Sequence, residues 1–268
     1  ALGRTLQRDG FAVVRALVPA QDAAAILSTA VTESATLEHM AHSEAIWCLR
    51  THPSVLGAFS TIWGVAPEDL IVGFDGMLVR QPSHVLGWHV DQNGSHGEHT
   101  AAVQCVVALE RSCAATGTVT FVRGSHARFD RAVPPCRATE GEWEAVFVDA
   151  SDEAYAGLDV CVPELRPGDA VFWDSRTLHA VAPARCQGSL RSVSYLSFAP
   201  RSFADARTLA LRCDAHERGV HTTHWPHRFV DRDCGLARPK CYSSALPARL
   251  LQRLVDVYLL LSSFLLDP

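Results

Sequence analysis

Lysine is almost absent from this chain. Of 24 basic residues only Lys240 is a lysine, so amine-based covalent chemistry such as Schiff-base catalysis is nearly excluded. A basic excess is absent as well: the formal net charge is −5, which leaves no positive field to hold a phosphate backbone and argues against nucleic acid as a partner. No Cys-x-x-Cys pair occurs among the nine cysteines, and their number is odd. That pattern argues against a disulfide framework or a zinc knuckle and points to a reduced, intracellular, most simply cytoplasmic, setting. Residues 1–10 have no apolar core of the signal-peptide kind. Long uninterrupted apolar runs are missing too. The most apolar stretch, 246–265, contains Arg249, Arg253 and Asp256, too many charges for a bilayer span, so no transmembrane segment is expected. It reads as an amphipathic helix that packs on the domain or forms a homodimer contact. There is no internal repeat, low-complexity tract or clear linker. The expectation is one domain over 1–268, with a core at about 4–200 and a helical extension at about 201–268.

What is present is enough apolar sequence for a core, 48%, arranged mostly as short strands. Phe11–Val14 opens as a strand, and Pro19–Ser34 has helical spacing through Ala23, Ile26, Leu27 and Ala30. A second helix is predicted over Val55–Ile62. Strands are predicted at Leu70–Val79, Val103–Leu109, Thr118–Val122, Val160–Leu165, Ala170–Trp173, Leu178–Val181 and Arg191–Phe198. The turn Arg166-Pro-Gly-Asp joins two of them. Many short strands divided by Gly and Pro turns indicate a sandwich or barrel rather than βαβ units. The connection from about Ala127 to Asp159 is long enough to be a lid. A further helix is predicted from Phe203 to about Gly219.

Two stretches carry chemistry. In Gly87-Trp-His-Val-Asp-Gln92, His89 and Asp91 are two apart on a strand and so face the same side. In Phe172-Trp-Asp-Ser-Arg-Thr-Leu-His179, the last residue can supply a second imidazole from a facing strand. Two His and one carboxylate on one face of an octahedral metal is the ligand set of non-haem Fe(II) oxygenases, with three positions left open. Arg191, inside an apolar strand, is a guanidinium that needs an anionic partner. The distal carboxylate of 2-oxoglutarate is one such partner; Asp169 or Asp174 is the structural alternative.

Trp88-His89-x-Asp91, the strand ending Ala108-Leu109, Gly117–Val122, Gly124-Ser-His126, and the block Arg166-Pro-Gly-Asp through His179 to Arg191 together resemble the phytanoyl-CoA dioxygenase-like family. Asp9-Gly10-Phe11 is similar to that family's first strand, so the resemblance covers roughly residues 4–200. It implies a mainly β fold with flanking helices, a double-stranded β-helix (jelly roll). It also implies Fe(II), 2-oxoglutarate and O2, with His89, Asp91 and His179 as iron ligands and Arg191 as the co-substrate clamp. The chain departs from the family's pattern at Val90, where Gln is frequent, and at Arg123, where Pro is frequent; both departures are expected to alter the surroundings of co-substrate and substrate. Related halogenases have a small residue at the position of Asp91, so its carboxylate implies hydroxylation or a kindred oxidation.

Other candidates are set against plainer roles. Arg80, Gln81, Asn93 and Gln104 are candidate polar lining near the metal, with Arg80 and Gln104 the candidate co-substrate contacts. His84, His96 and His99 read as surface loop residues rather than a second metal site. His221, His224 and His227 lie in a His- and Pro-rich loop whose functional alternatives are a cover over the substrate mouth or, less readily, a metal site, since Pro226 breaks any helix that would align them; the sequence does not assign the loop a role. Trp88 and Trp173 are either core or site aromatics, and His126 ends a turn. The substrate class expected is a small or lipid-like molecule. The competing functions are a modified-nucleobase oxidase, a non-catalytic jelly-roll binding module, and a cupin-like oxygenase that does not use 2-oxoglutarate.

Overall fold

The computed structural model describes residues 1–35, 40–82, 85–92, 102–133, 146–148 and 151–228. His84, Asn93, His96, His99, Lys240 and the helix expected at 246–265 lie outside the described residues.

Two antiparallel sheets make the barrel. The first has six strands: β1 (Phe11–Val14), β9 (Ala170–Asp174), β5 (Val103–Ala108), β11 (Arg191–Pro200) and β2 (Leu70–Val72) in that order, with β3 (Met77–Gln81) also paired to β11. The second has five, in the order β7 (Val146–Phe147), β4 (Leu86–Val90), β10 (His179–Ala182), β6 (Thr118–Val122) and β8 (Val160–Cys161). With helices packed on the first sheet, this is the mainly β jelly roll expected from the sequence.

The first sheet is buried on both faces, which explains why its strands read as continuous apolar runs rather than alternating ones. Residue parity still separates the faces. Cys105, Val107, Ala170, Phe172, Leu196 and Phe198 pack outward, in one cluster with residues of α1 (Leu2–Asp9), α2 (Ala20–Ser34), α3 (Glu44–Arg50) and α4 (Pro53–Trp63). Val106, Ala108, Val171, Trp173 and Val193 point inward and meet Phe11, Val119 and Phe121. Phe11 and Phe121 stack with ring centroids 4.6 Å apart. Each such fully buried side chain contributes about 1.5–3 kcal/mol. The second sheet's outer face, with Trp88, Val90, Val122 and Leu178, is covered by Phe129, Val133 and Tyr155 from the long connection.

Several element boundaries differ from the expectation for local reasons. Residues 2–9 form a helix, closed by Gly10 in the left-handed region (φ 81°). A side chain at Gly10 would strike His126 and Thr177. Helix α3 follows a Ser43 cap whose hydroxyl accepts from Ile46 N–H at 3.2 Å; at seven residues it is too short to show a helical period. The run Leu70–Val79 is two strands, because Gly73-Phe-Asp-Gly76 interrupts it. The strand expected at Val160–Leu165 is a two-residue strand at 160–161 followed by an isolated bridge from Leu165 to Ser112. The helix expected from Phe203 is α5 (Ala206–Glu217), started by Asp205, which accepts from Thr208 N–H at 2.7 Å.

Candidate active site

Strands β4 and β10 are neighbours in the second sheet, and His89 stands directly opposite His179 in their register. The two rings lie 4.2 Å apart, centroid to centroid. Asp91, one residue past the end of β4, turns back to them: its carboxylate oxygens lie 3.5 Å from His89 Nε2 and 3.1 Å from His179 Nε2. All three are buried, and one donor atom from each falls within 4.8 Å of the others. Among the described residues this is the one His/Cys/Asp/Glu group so arranged.

Local geometry fixes the tautomers. His89 Nδ1 lies 2.8 Å from the Gly87 carbonyl and His179 Nδ1 lies 2.9 Å from the Thr177 carbonyl. A carbonyl can only accept, so each Nδ1 carries the proton and each Nε2 lone pair is directed at the common point. Asp91 is held by Gln104, whose amide donates to Oδ2, and by the Trp173 indole N–H at 3.3 Å. Its backbone N–H donates to the Ser175 carbonyl at 2.9 Å.

The family-like motifs outside the triad act at a distance to place His179. Thr177 hydroxyl donates to the Gly10 carbonyl at 2.8 Å, and Leu178 N–H donates to Ser125 Oγ at 2.8 Å. His126 Nε2 lies 2.9 Å from the Gln7 carbonyl. The Asp9-Gly10 and Gly124-Ser-His stretches therefore converge on the start of β10.

Burial alone would raise the Asp91 carboxyl, but the His179, His224 and His89 imidazoles around it hold it well below the usual carboxylate range. Burial also lowers His89, reinforced by its neighbour His179. For His179 burial acts the same way, yet Asp91 outweighs it and the net shift is upward.

The triad opens onto a cavity of about 500 Å³. Gln104, Trp173, Arg191 and Tyr195 line it, as their inward parity on β5, β9 and β11 requires. Arg191 is 2% exposed, its Nε has no hydrogen-bond partner, and no acidic side chain among the described residues is within salt-bridge reach. Its guanidinium interacts with Tyr195, and burial lowers its pKa. The acids that were the structural alternative are engaged elsewhere: Asp169 with Arg15 at 2.7 Å and Asp174 with Arg176 at 2.7 Å.

The remaining candidates divide. Gln81, His221 and His224 line the cavity. Arg80 does not: its side chain is half-exposed and 3.6 Å from Glu110, beside a register shift in the β11–β3 pairing and with φ at 45°. Trp88 belongs to the outer cluster, whereas Trp173 reaches the site. The two departures from the family pattern also point away from the cavity. Val90 faces the outer cluster, and Arg123 meets Asp9 at 2.7 Å. The expectation that they alter co-substrate and substrate surroundings is therefore corrected.

Tyr195, Asp75 and Phe147 were not singled out in the sequence. Tyr195 was findable, since it stands four residues from Arg191 on one strand and shares its face. Phe147 on β7 pairs with His89 in register and its ring lies 5.8 Å from the imidazole, so the long connection does border the site. Asp75 sits in a turn and gives no sequence signal.

Comparison with known proteins agrees with this geometry. The profile of the phytanoyl-CoA dioxygenase family matches residues 28–192. The Ava biosynthesis cluster protein O of Aspergillus versicolor is 27% identical over 208 residues, 71% of this chain and 66% of its own length. This chain thus spans just under two thirds of that relative. Among solved structures, the epimerase SnoN in complex with Fe3+, alpha ketoglutarate and nogalamycin RO superposes with a TM-score of 0.57 at 20% identity, covering 74% of this chain and 82% of SnoN. EctD from S. alaskensis, with 2-oxoglutarate and 5-hydroxyectoine, gives 0.55 at 15% identity, covering 75% of each chain. At these identities the likeness is one of fold.

Proposed function

The chain belongs to the phytanoyl-CoA dioxygenase family, and from that premise we propose that it is a non-haem Fe(II)- and 2-oxoglutarate-dependent dioxygenase. Its reaction is oxidation of a C–H bond of a small, largely apolar molecule: R–H, O2 and 2-oxoglutarate give R–OH, succinate and CO2. The observation that carries this reading is the buried His89/Asp91/His179 set opening onto the same cavity as Arg191.

The donor set fits the metal. Two imidazoles with their Nδ1 protons committed to carbonyls, plus one ionised carboxylate, offer three ligand atoms to one point and suit a divalent iron. Arg191 fits the 2-oxo acid: a buried guanidinium with an unmet Nε and no acidic partner among the described residues is a carboxylate receptor. A bound iron supplies the redox chemistry that couples loss of CO2 from the 2-oxo acid to oxidation of the C–H bond. The protein's part is positional. His89, Asp91 and His179 hold the metal; Gln104 and Trp173 keep the Asp91 carboxylate oriented; Arg191 with Tyr195 receives the distal carboxylate. Met77, Leu86, Val106 and Val181 give the cavity an apolar lining. That lining supports a small apolar substrate over a nucleobase in a polynucleotide, which would need a basic groove. Among the described residues no helix is long and apolar enough to cross a membrane.

The test is anaerobic titration of the full chain with Fe(II) and then 2-oxoglutarate, following the visible charge-transfer band of the chelate. His179→Ala should abolish the band and the bound metal. Arg191→Ala should leave the metal in place but raise the 2-oxoglutarate requirement by about 10–100-fold, the loss of a charge-assisted interaction. Bound iron with no band in the unmodified protein sinks the co-substrate assignment.

A further inference from the structure

Residues 219–228 lie beyond the stretch matched to the family, 28–192, yet they form part of the cavity wall. Their docking is specific. Thr222 N–H donates to the Phe74 carbonyl at 3.0 Å, and Phe74 N–H donates to Thr222 Oγ1 at 2.9 Å. Gly73 makes the approach possible: a Cβ there would strike Ser197 Oγ and come within 3.0 Å of the Thr223 carbonyl oxygen. His42 Nε2 lies 2.9 Å from the Val220 carbonyl. From the other side Arg50 donates to the carbonyls of Ala41 and Asp75, each at 2.7 Å. The turn at 73–76 and the later segment are thus clamped into one wall.

That wall presents three polar side chains, Asp75, His221 and His224. His221 Nε2 is 3.5 Å from Asp75 Oδ1. His224 is only 7% exposed, and its Nε2 has no hydrogen-bond partner among the described residues. Buried polar atoms are nearly always satisfied, so this one calls for a partner. His224 lines the same cavity as His89, Asp91 and His179. Apolar side chains such as Met40 and Leu86 supply most of the remaining wall.

We propose that Asp75, His221 and His224 form a hydroxyl-binding pole of the cavity, which selects an apolar alcohol or phenol and orients it toward the triad. The proposal deepens the oxygenase reading and rests on it. Chemistry selects the group. The Asp75 carboxylate repels a second anion, and Arg191, the one guanidinium lining the cavity among the described residues, is assigned to the 2-oxo acid. A hydrocarbon would leave His224 Nε2 unmet. A hydroxyl both donates and accepts, and each imidazole can take either role by choice of tautomer.

The test is binding, measured by calorimetry on the full chain under nitrogen, with and without Fe(II) and 2-oxoglutarate. The probes are 2-naphthol, its methyl ether and 2-naphthoate. With 2-oxoglutarate occupying Arg191, the naphthol should bind about fivefold to tenfold more tightly than either, the worth of one net hydrogen bond. His224→Phe should erase that preference while leaving the ether within about twofold, and His224→Gln, which keeps a hydrogen-bonding group, should retain part of it. Should the phenylalanine variant not fold, Asp75→Asn tests the same pole: it should relieve the bias against 2-naphthoate. No naphthol binding, equal binding of the three probes, or a uniform loss in His224→Phe overturns the proposal. A chelate band without hydroxyl preference would remove the pole and leave the oxygenase. Hydroxyl preference without a band would remove the oxygenase and leave a binding site.

Discussion

The cavity has two walls that differ in how their polar atoms are met. On the barrel wall the atoms around the triad are already partnered: both His Nδ1 atoms face carbonyls, and Asp91 is held by Gln104 and Trp173. On the wall that includes residues 219–228, His224 Nε2 is buried and unmet among the described residues. A group that must hold one metal throughout turnover gains from a fixed, fully satisfied surround. A group that meets a substrate gains from an unmet atom, because only the right ligand then satisfies it. Arg191 belongs with the second kind although it lies on the barrel, which fits a co-substrate consumed in every cycle.

The largest break in this comparison comes from unsettling the partnered wall. Gln104→Leu removes the amide that donates to Asp91 while keeping the side chain's bulk. Metal affinity should fall by about 10–100-fold, read as the Fe(II) or Co(II) concentration for half-saturation, with little change in melting temperature. An unchanged affinity would mean that Gln104 only fills space.

A smaller effect contrasts Asp91 with Asp169, a buried carboxylate with no metal to hold. Asp169 accepts from Ala16 N–H at 2.8 Å, Arg166 N–H at 3.0 Å and Arg15 at 2.7 Å. Burial opposes ionisation, but these donors prevail and its pKa lies below the ordinary value. A depressed carboxyl contributes stability above its unfolded pKa, about 3.9, which is lost as pH falls through the folded value. The unmodified protein should therefore lose melting temperature below about pH 4 more steeply than Asp169→Asn, and identical slopes would count against the pairing.

The smallest effect is expected at Arg80. Its exposed pair with Glu110 is of a kind worth about 0–1 kcal/mol. Arg80→Ala should change the 2-oxoglutarate requirement by less than about twofold, set beside the large change expected at Arg191. A loss comparable to that of Arg191→Ala would return Arg80 to the site.

Much of the site was legible because its spacing is a strand's spacing. His89 and Asp91 are two apart, and Arg191 interrupts an apolar strand, so each stands out without any knowledge of neighbours. Gln104 and Tyr195 were harder. They sit in strands buried on both faces, where every residue is enclosed and apolar alternation vanishes, so only parity against known inward residues reveals their direction. Arg80 was misplaced for the opposite reason: a positive φ and a register shift turn it away just where regular alternation would be assumed.

By itself the sequence determined the local chemistry: which residues can ligate, which lone guanidinium needs an anion, and that many short strands must close on one another. Those follow from side-chain type and from the two-residue period of a strand, both properties of neighbours in the chain. Tertiary structure decided what depends on distant segments meeting: His89 opposite His179, Gly10 and Ser125 bracing Thr177 and Leu178, and residues 219–228 laid against Gly73 to bring His224 into the triad's cavity. None of these contacts leaves a local period, because each pairs positions tens of residues or more apart and is selected by packing and hydrogen-bond satisfaction across the whole barrel.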